Sequence, residues 1–210
     1  MKKSTLLVLC LLTFAMSFAQ KKAVTENGEE VILYDDGTWD YLNSQDYLVT
    51  QIPINPKAFE KGENSTFLLK SNRLNVGFWL DPKAWSFRKS TENPDAEYEF
   101  NMKEEDLYGM VLTEKFEIPL QSLKLIAVEN AKEVAPDLKI VKEEYRNVNG
   151  LKVLLLHMNG TMQGIKVSYY GYYYSNETGT VQFITYTSQN LMNTLIEEGD
   201  KLLNGIVVVE

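Results

Sequence analysis

Apolar positions along this 210-residue chain fall into two periods, and each change of period marks an element. Residues 97–102 alternate strictly: Tyr98, Phe100 and Met102 point one way, Glu97, Glu99 and Asn101 the other. That is the pattern of a strand with one face in water. Residues 107–113 are apolar on both faces and predict a strand covered on both sides. Residues 74–80 and 85–89 read as strands parted by Asp81-Pro82. From Pro119 the period lengthens, and Leu120, Leu123, Ile126, Ala127 and Ala131 recur at helical spacing. Proline is favoured at the opening of a helix, and Ala135-Pro136 stops this one. Three long strands follow over residues 138–148, 151–159 and 163–174, the first two joined across Asn149-Gly150. Residues 176–179 turn the chain into a strand over 180–187. Ser188 is a good N-cap for a second helix that Asn204-Gly205 ends. Gly199 lies on the apolar stripe of that helix with Leu191, Leu195 and Leu202. A glycine inside a helix costs about 1 kcal/mol, so Gly199 predicts a close approach of helix to sheet.

Before this region the pattern is weaker. Residues 20–42 predict a small β-meander, with Asn27-Gly28 as a hairpin turn, a strand at Val31-Ile32-Leu33-Tyr34, and Asp35-Asp36-Gly37 turning into a third strand. Residues 43–73 contain Pro53, Pro56 and the polar run Lys61-Gly62-Glu63-Asn64-Ser65, and predict a linker with little regular structure. Residues 74–210 then form one domain. Its strands run in consecutive hairpins rather than alternating with helices, which predicts an α+β fold with mostly antiparallel pairing.

The first residues add a location. Lys2 and Lys3 precede an apolar stretch over residues 6–14, and Ser17-Phe18-Ala19 is a small-x-small cleavage site. Residues 1–19 therefore read as a signal peptide cleaved after Ala19, and the protein as periplasmic or secreted. The leader is too short to span a bilayer, which takes about 20 apolar residues, and no later segment is longer, so no membrane insertion is expected. Cleavage removes Cys10, the single cysteine, and lowers the basic residues from 21 to 19 against 29 acidic ones, a net charge of −10. An acidic surface of that size disfavours nucleic acid, which needs concentrated Lys and Arg. Disulfides, thiol catalysis and zinc sites lose their ligands.

Candidate chemistry is then sparse. His157 is the single histidine and sits in a strand apolar on both faces, which favours a satisfied interior role over catalysis. No Gly-x-Ser-x-Gly elbow is present. The clusters Asp35-Asp36 with Asp40, Glu104-Glu105-Asp106, and Glu197-Glu198 with Asp200 lack the spacing of a calcium loop. No catalytic residue, metal site or cofactor is assigned. The tyrosines stand out instead. In the strand over 163–174, Lys166, Ser168, Tyr170, Tyr172 and Tyr174 share the more polar face, and Ile165, Val167, Tyr169, Gly171 and Tyr173 share the other. Tyrosine suits binding surfaces because it is flat, amphipathic and rotamer-poor. Tyr170, Tyr172, Tyr174 and Lys166 are therefore the candidate ligand- or partner-binding residues, set against ordinary sheet stabilisation by aromatics.

The order of elements resembles the PsbP-like fold over roughly residues 74–205: a helix opening at Ile118-Pro119, the hairpin at Asn149-Gly150, the run Gly164-Ile165-Lys166-Val167-Ser168-Tyr169 followed by Tyr172-Tyr173-Tyr174-Ser175-Asn176, and a closing helix after Tyr186-Thr187. Residues 31–41, with Asp36-Gly37-Thr38-Trp39, are similar to an N-terminal element of secreted proteins from Gram-negative bacteria. The resemblance implies an accessory or partner-binding protein. The expected function is a non-enzymatic accessory or binding protein of the bacterial envelope, its partner an unknown protein or small ligand. The alternative is a carboxylate-dependent hydrolase acting on envelope carbohydrate, since a glycosidase needs only two acids across a cleft.

Overall fold

The computed structural model describes residues 21–26, 28, 30–33, 39–41, 52–91 and 93–209. The leader with its cleavage site, Asn27, the Asp35-Asp36-Gly37 turn and residues 42–51 lie outside the described residues. The chain divides into two compact units. In the N-terminal one, β1 (Lys21–Val24), β2 (Glu30–Leu33) and β3 (Trp39–Tyr41) form an antiparallel sheet in that order. Val24 stands opposite Glu30, and Leu33 opposite Trp39.

The second unit opens with two strands inside the stretch expected to be an irregular linker: β4 (Ile54–Phe59) and β5 (Phe67–Lys70). Then come β6 (Val76–Leu80), β7 (Trp85–Lys89), β8 (Ala96–Met102), β9 (Tyr108–Glu114) and helix α1 (Leu120–Val134). They are followed by β10 (Lys139–Val148), β11 (Leu151–Met162), β12 (Ile165–Asn176), β13 (Gly179–Ser188), helix α2 (Gln189–Leu203) and β14 (Ile206–Val208). Eight strands form one sheet in the order β4-β10-β11-β12-β13-β9-β8-β7, and β14-β6-β5 form a smaller one. In the large sheet β4 runs parallel to β10, and every other pairing is antiparallel.

The correction at residues 54–59 has a clear cause. β4 carries Pro56 and follows Pro53, and proline cannot donate to a ladder, so the segment reads as a loop. Prolines are tolerated on edge strands, and β4 is an edge. Its Ile54 is largely exposed, so hydrophobic alternation gave no signal either.

Both faces of the large sheet are covered. On one, Met192, Leu195 and Leu202 of α2 and Phe78 and Leu80 of β6 pack over Phe100, Val111, Leu155 and Phe183. On the other, Leu123 and Ala127 of α1 pack with Ile52 over Leu154, Leu156, Tyr173 and Ile184. This is why β11 to β13 read as apolar on both faces. Gly199 does mark a close approach: a Cβ there would stand 3.1 Å from Thr185 Oγ1. No helix among the described residues is long and apolar enough to cross a membrane.

The end of α2 is fixed by crowding. Gly205 follows a C-cap, Asn204, in right-handed helical geometry (φ −64°), so the helix does not end in a left-handed glycine. Instead Trp79 N donates to Gly205 O at 2.8 Å, and a Cβ on Gly205 would overlap the Trp79 carbonyl. Gly205→Ala is expected to lower stability by about 2–3 kcal/mol through forced backbone displacement. Gly62→Ala, with Ser65 Oγ at 3.6 Å as its nearest neighbour, is the control and should move stability by about 0.5 kcal/mol or less. Urea denaturation of the two variants checks the contrast.

Candidate functional site

The proposed binding tyrosines lie in the interior. The α2 side of the sheet receives the even-numbered residues of β12, and Tyr170 and Tyr172 are 1% and 0% exposed, with Tyr174 also buried. Of the four candidates only Lys166 is exposed. The face reads as polar because its hydroxyls are used, each meeting a partner inside the fold. Tyr170 Oη donates to Asp200 Oδ1 at 2.7 Å, Tyr172 Oη donates to Asn204 Oδ1 at 2.8 Å, and Tyr174 Oη accepts from Asn176 Nδ2 at 3.2 Å.

The centre of this network is Arg146, 5% exposed, which sequence reading passed over. Its Nε donates to Glu144 Oε1 at 2.6 Å, and its Nη1 donates to Asp200 Oδ1 at 2.7 Å and to Tyr172 Oη at 2.8 Å. The guanidinium also stacks over Phe59, 4.4 Å from the ring centre. Burial works against the charge of Glu144, but the hydrogen bonds from Arg146 and Asn55 outweigh it and hold the carboxyl below its usual value. Burial, with Asp200 beside Tyr170, raises both Tyr170 and Tyr172, so they remain O–H donors. Every charge here has a partner, and the result is a latch holding the last turns of α2 to β10 and β12.

His157 lies on the same face, opposite Lys142 and Tyr170. Its Nε2 is 2.9 Å from Ser168 Oγ, and that hydroxyl donates to Asn159 Oδ1 at 2.7 Å. A hydroxyl has one proton, so the imidazole Nε2–H must be the donor to Ser168. The histidine is therefore no base toward that serine, and Ser168 is fully buried. Burial, aided by Lys142, lowers the His157 pKa. Among the described residues, no group of three or more His, Cys, Asp or Glu could hold a metal ion.

The opposite face is open at one end. Alternation along β12 sends Tyr169 to that face, and the register sets it beside Tyr186 of β13, which is opposite Tyr108 of β9. The three rings form a row, with centres 5.7 Å apart for Tyr108–Tyr186 and 6.2 Å for Tyr169–Tyr186. Tyr108 is 38% exposed. Beside it, Asn101, Ser86, Glu99 and Arg88 from β8 and β7 continue the face, and with Tyr108 and Tyr186 they line a groove of about 390 Å³. Arg88 grips Glu99 through Nε (2.8 Å) and Nη2 (2.6 Å), and Ser90 Oγ donates to the other carboxylate oxygen at 2.6 Å. The bond from Ser90, with Arg88 beside it, keeps the Glu99 carboxyl below its usual value. Tyr170, Tyr172 and Tyr174, selected from the sequence, face the interior, while Tyr169 of the same strand stands on the opposite face beside Tyr186. The missing information was the cross-strand register, which turns Tyr108, Tyr169 and Tyr186 from scattered residues into a row.

Two measurements follow. Asp200→Ala leaves Arg146 and Tyr170 short of a partner; the buried-pair penalty, reduced by the partial exposure of Asp200, should cost about 2 kcal/mol by urea denaturation, against about 1 kcal/mol for Tyr170→Phe. For His157, the unfolded imidazole titrates near pH 6.5 and the folded one lower, so its contribution is whole above about pH 6.5 and is lost as pH falls below it. From about pH 7.5 to 5.5 the urea midpoint should fall further in the wild-type protein than in His157→Gln; equal falls would count against a buried neutral imidazole.

No protein-family model matches the sequence, and no curated protein does. Solved structures match the fold. PsbP (CyanoP) from the cyanobacterium Synechocystis sp. PCC 6803 is similar with a TM-score of 0.53 at 12% identity, over 70% of this chain and 94% of that one. A protein of unknown function from Pseudomonas aeruginosa, PA94, gives 0.44 at 12% over 67% and 95%. LpqN of Mycobacterium tuberculosis, involved in cell envelope biogenesis, gives 0.39 at 10% over 72% and 82%. The cyanobacterial match covers nearly all of that protein, and with the helices and hairpins described above it means that this chain has a PsbP-like fold.

Proposed function

We propose that this chain is an exported accessory protein, without catalysis of its own, that binds a partner or ligand through the groove beside Tyr108 and Tyr186. The leader pattern over residues 1–19 supports export. A fold does not fix a function, so the PsbP-like architecture makes the proposal compatible and no more. The observation that carries it is the tyrosine row: large rings left half-open on a sheet face, next to a concave surface with polar side chains. Exposed aromatic clusters of this kind mark interaction surfaces, because leaving them in water has no benefit to folding.

The same geometry weighs against the hydrolase reading. A glycosidase acid must be held protonated near neutral pH, with its carboxyl pushed up. Glu144 in the buried network and Glu99 in the groove are both held down by cationic partners and hydrogen bonds.

The test is capture from envelope extract on the immobilised protein. The double variant Tyr108→Ser/Tyr186→Ser should retain its specific ligand about tenfold less well than the wild-type protein, the scale of losing central aromatic contacts. Equal retention by the two proteins, with both folded by circular dichroism, would remove the groove from consideration.

A further inference from the structure

We infer that the groove takes a neutral oligosaccharide, laid against the exposed Tyr108 ring with its hydroxyls toward Asn101 and the Tyr186 hydroxyl. This inference rests on the groove being the binding surface, and it adds the chemical class of the ligand. Three observations favour that class. First, the rings form a row across three strands rather than an enclosed pocket, with planes inclined by only 26° and 39° between neighbours. Tyr186 stacks beneath Tyr108, and Tyr108 is 38% exposed and lines the groove, so an aromatic ring backed by a second one is open to a ligand there. A sugar ring presents a flat face of C–H groups with slight positive charge, which is the complement of the aromatic quadrupole.

Second, the charge in the groove cancels. Arg88 and Glu99 are spent on each other at 2.6–2.8 Å, so the surface offers neither a free cation for an anionic ligand nor a free carboxylate for a cationic one. The protein as a whole is acidic, at −8, which further disfavours anions. Neutral ligands remain.

Third, hydrogen-bonding capacity stands open beside the rings. Among the described residues, neither the Asn101 side-chain amide nor the Tyr186 hydroxyl has a partner, and Asn101 is exposed. The Asn101 amide is planar, with a donor and an acceptor side by side, and can address two neighbouring oxygens at once. Adjacent hydroxyls of a sugar have that arrangement. Water can satisfy these groups in the free protein, so the site costs the fold nothing while it is empty.

The experiment is calorimetric titration of the purified protein with two neutral oligosaccharides, chitotetraose and cellotetraose, and with a proline-rich decapeptide as the competing aromatic-groove ligand. The expected result is saturable binding of at least one oligosaccharide, weakened about tenfold by Tyr186→Ala and largely kept by Tyr186→Phe. Asn101→Ala, at an exposed position that leaves the core untouched, should weaken it about threefold as one hydrogen bond is lost. No binding of either oligosaccharide overturns the inference, and so does binding that Tyr186→Ala and Asn101→Ala leave unchanged. If the decapeptide alone binds and Tyr186→Ala abolishes it, the oligosaccharide fails while the groove stands as the binding surface. If groove variants change neither titration nor capture, both readings fall together.

Discussion

A guanidinium removed from water must be matched, and the matching of Arg146 organises one side of this protein. Glu144 is the next residue on the same face of β10, Tyr172 comes from the strand two places along, and Asp200 from α2. These groups meet only when β10, β12 and α2 are all in register. Removing one partner leaves a buried charge short, so the arrangement is stringent even where its net contribution to stability is small. Asn149 adds to the same closure, donating to the carbonyls of Asn204 and Ile206. The last turn of α2 is thereby tied both to the sheet and to β14.

That closure decides what the tyrosines can do. In β12 the side chains alternate, so one strand supplies rings to two different environments. Tyr170 and Tyr172 become struts whose hydroxyls finish the buried network. Tyr169 faces the other way, packs at the margin of the core on that side and joins Tyr186 and Tyr108 in the ring row. The division of roles follows from position along the strand, with no difference in residue type.

Much of the fold was legible because it depends on local signals. The helical spacing from Leu120 to Ala131, the proline stop at Pro136 and the Asn149-Gly150 turn each act over a few residues. Asn149 and Gly150 indeed have φ of 49° and 83°, as a primed hairpin turn requires. What escaped was non-local. β4 reads as a loop because Pro56 and its exposed pattern hide a strand whose partner lies in another part of the chain. Arg146 carries no motif; its importance comes from Asp200 folding down onto it. The groove escaped for the same reason, since no pattern within β12 shows which face α2 will claim.

The parallel pairing of β4 has a kinetic meaning. Asn55 and Glu144, which share a hydrogen bond across that pair, are 89 residues apart, and the intervening chain holds β5 to β9 and α1. Closing so long a loop costs more entropy than a hairpin does, by about 0.6 kcal/mol for each doubling of length. β10, β11, β12 and β13 can assemble as successive hairpins without it. β4 is therefore expected to join β10 after those hairpins have formed, and as a mostly exposed edge to fray from it readily. Its departure would uncover the backbone of β10 and take Phe59 off Arg146, so an exposed edge of the sheet guards one of its most stringent interior contacts.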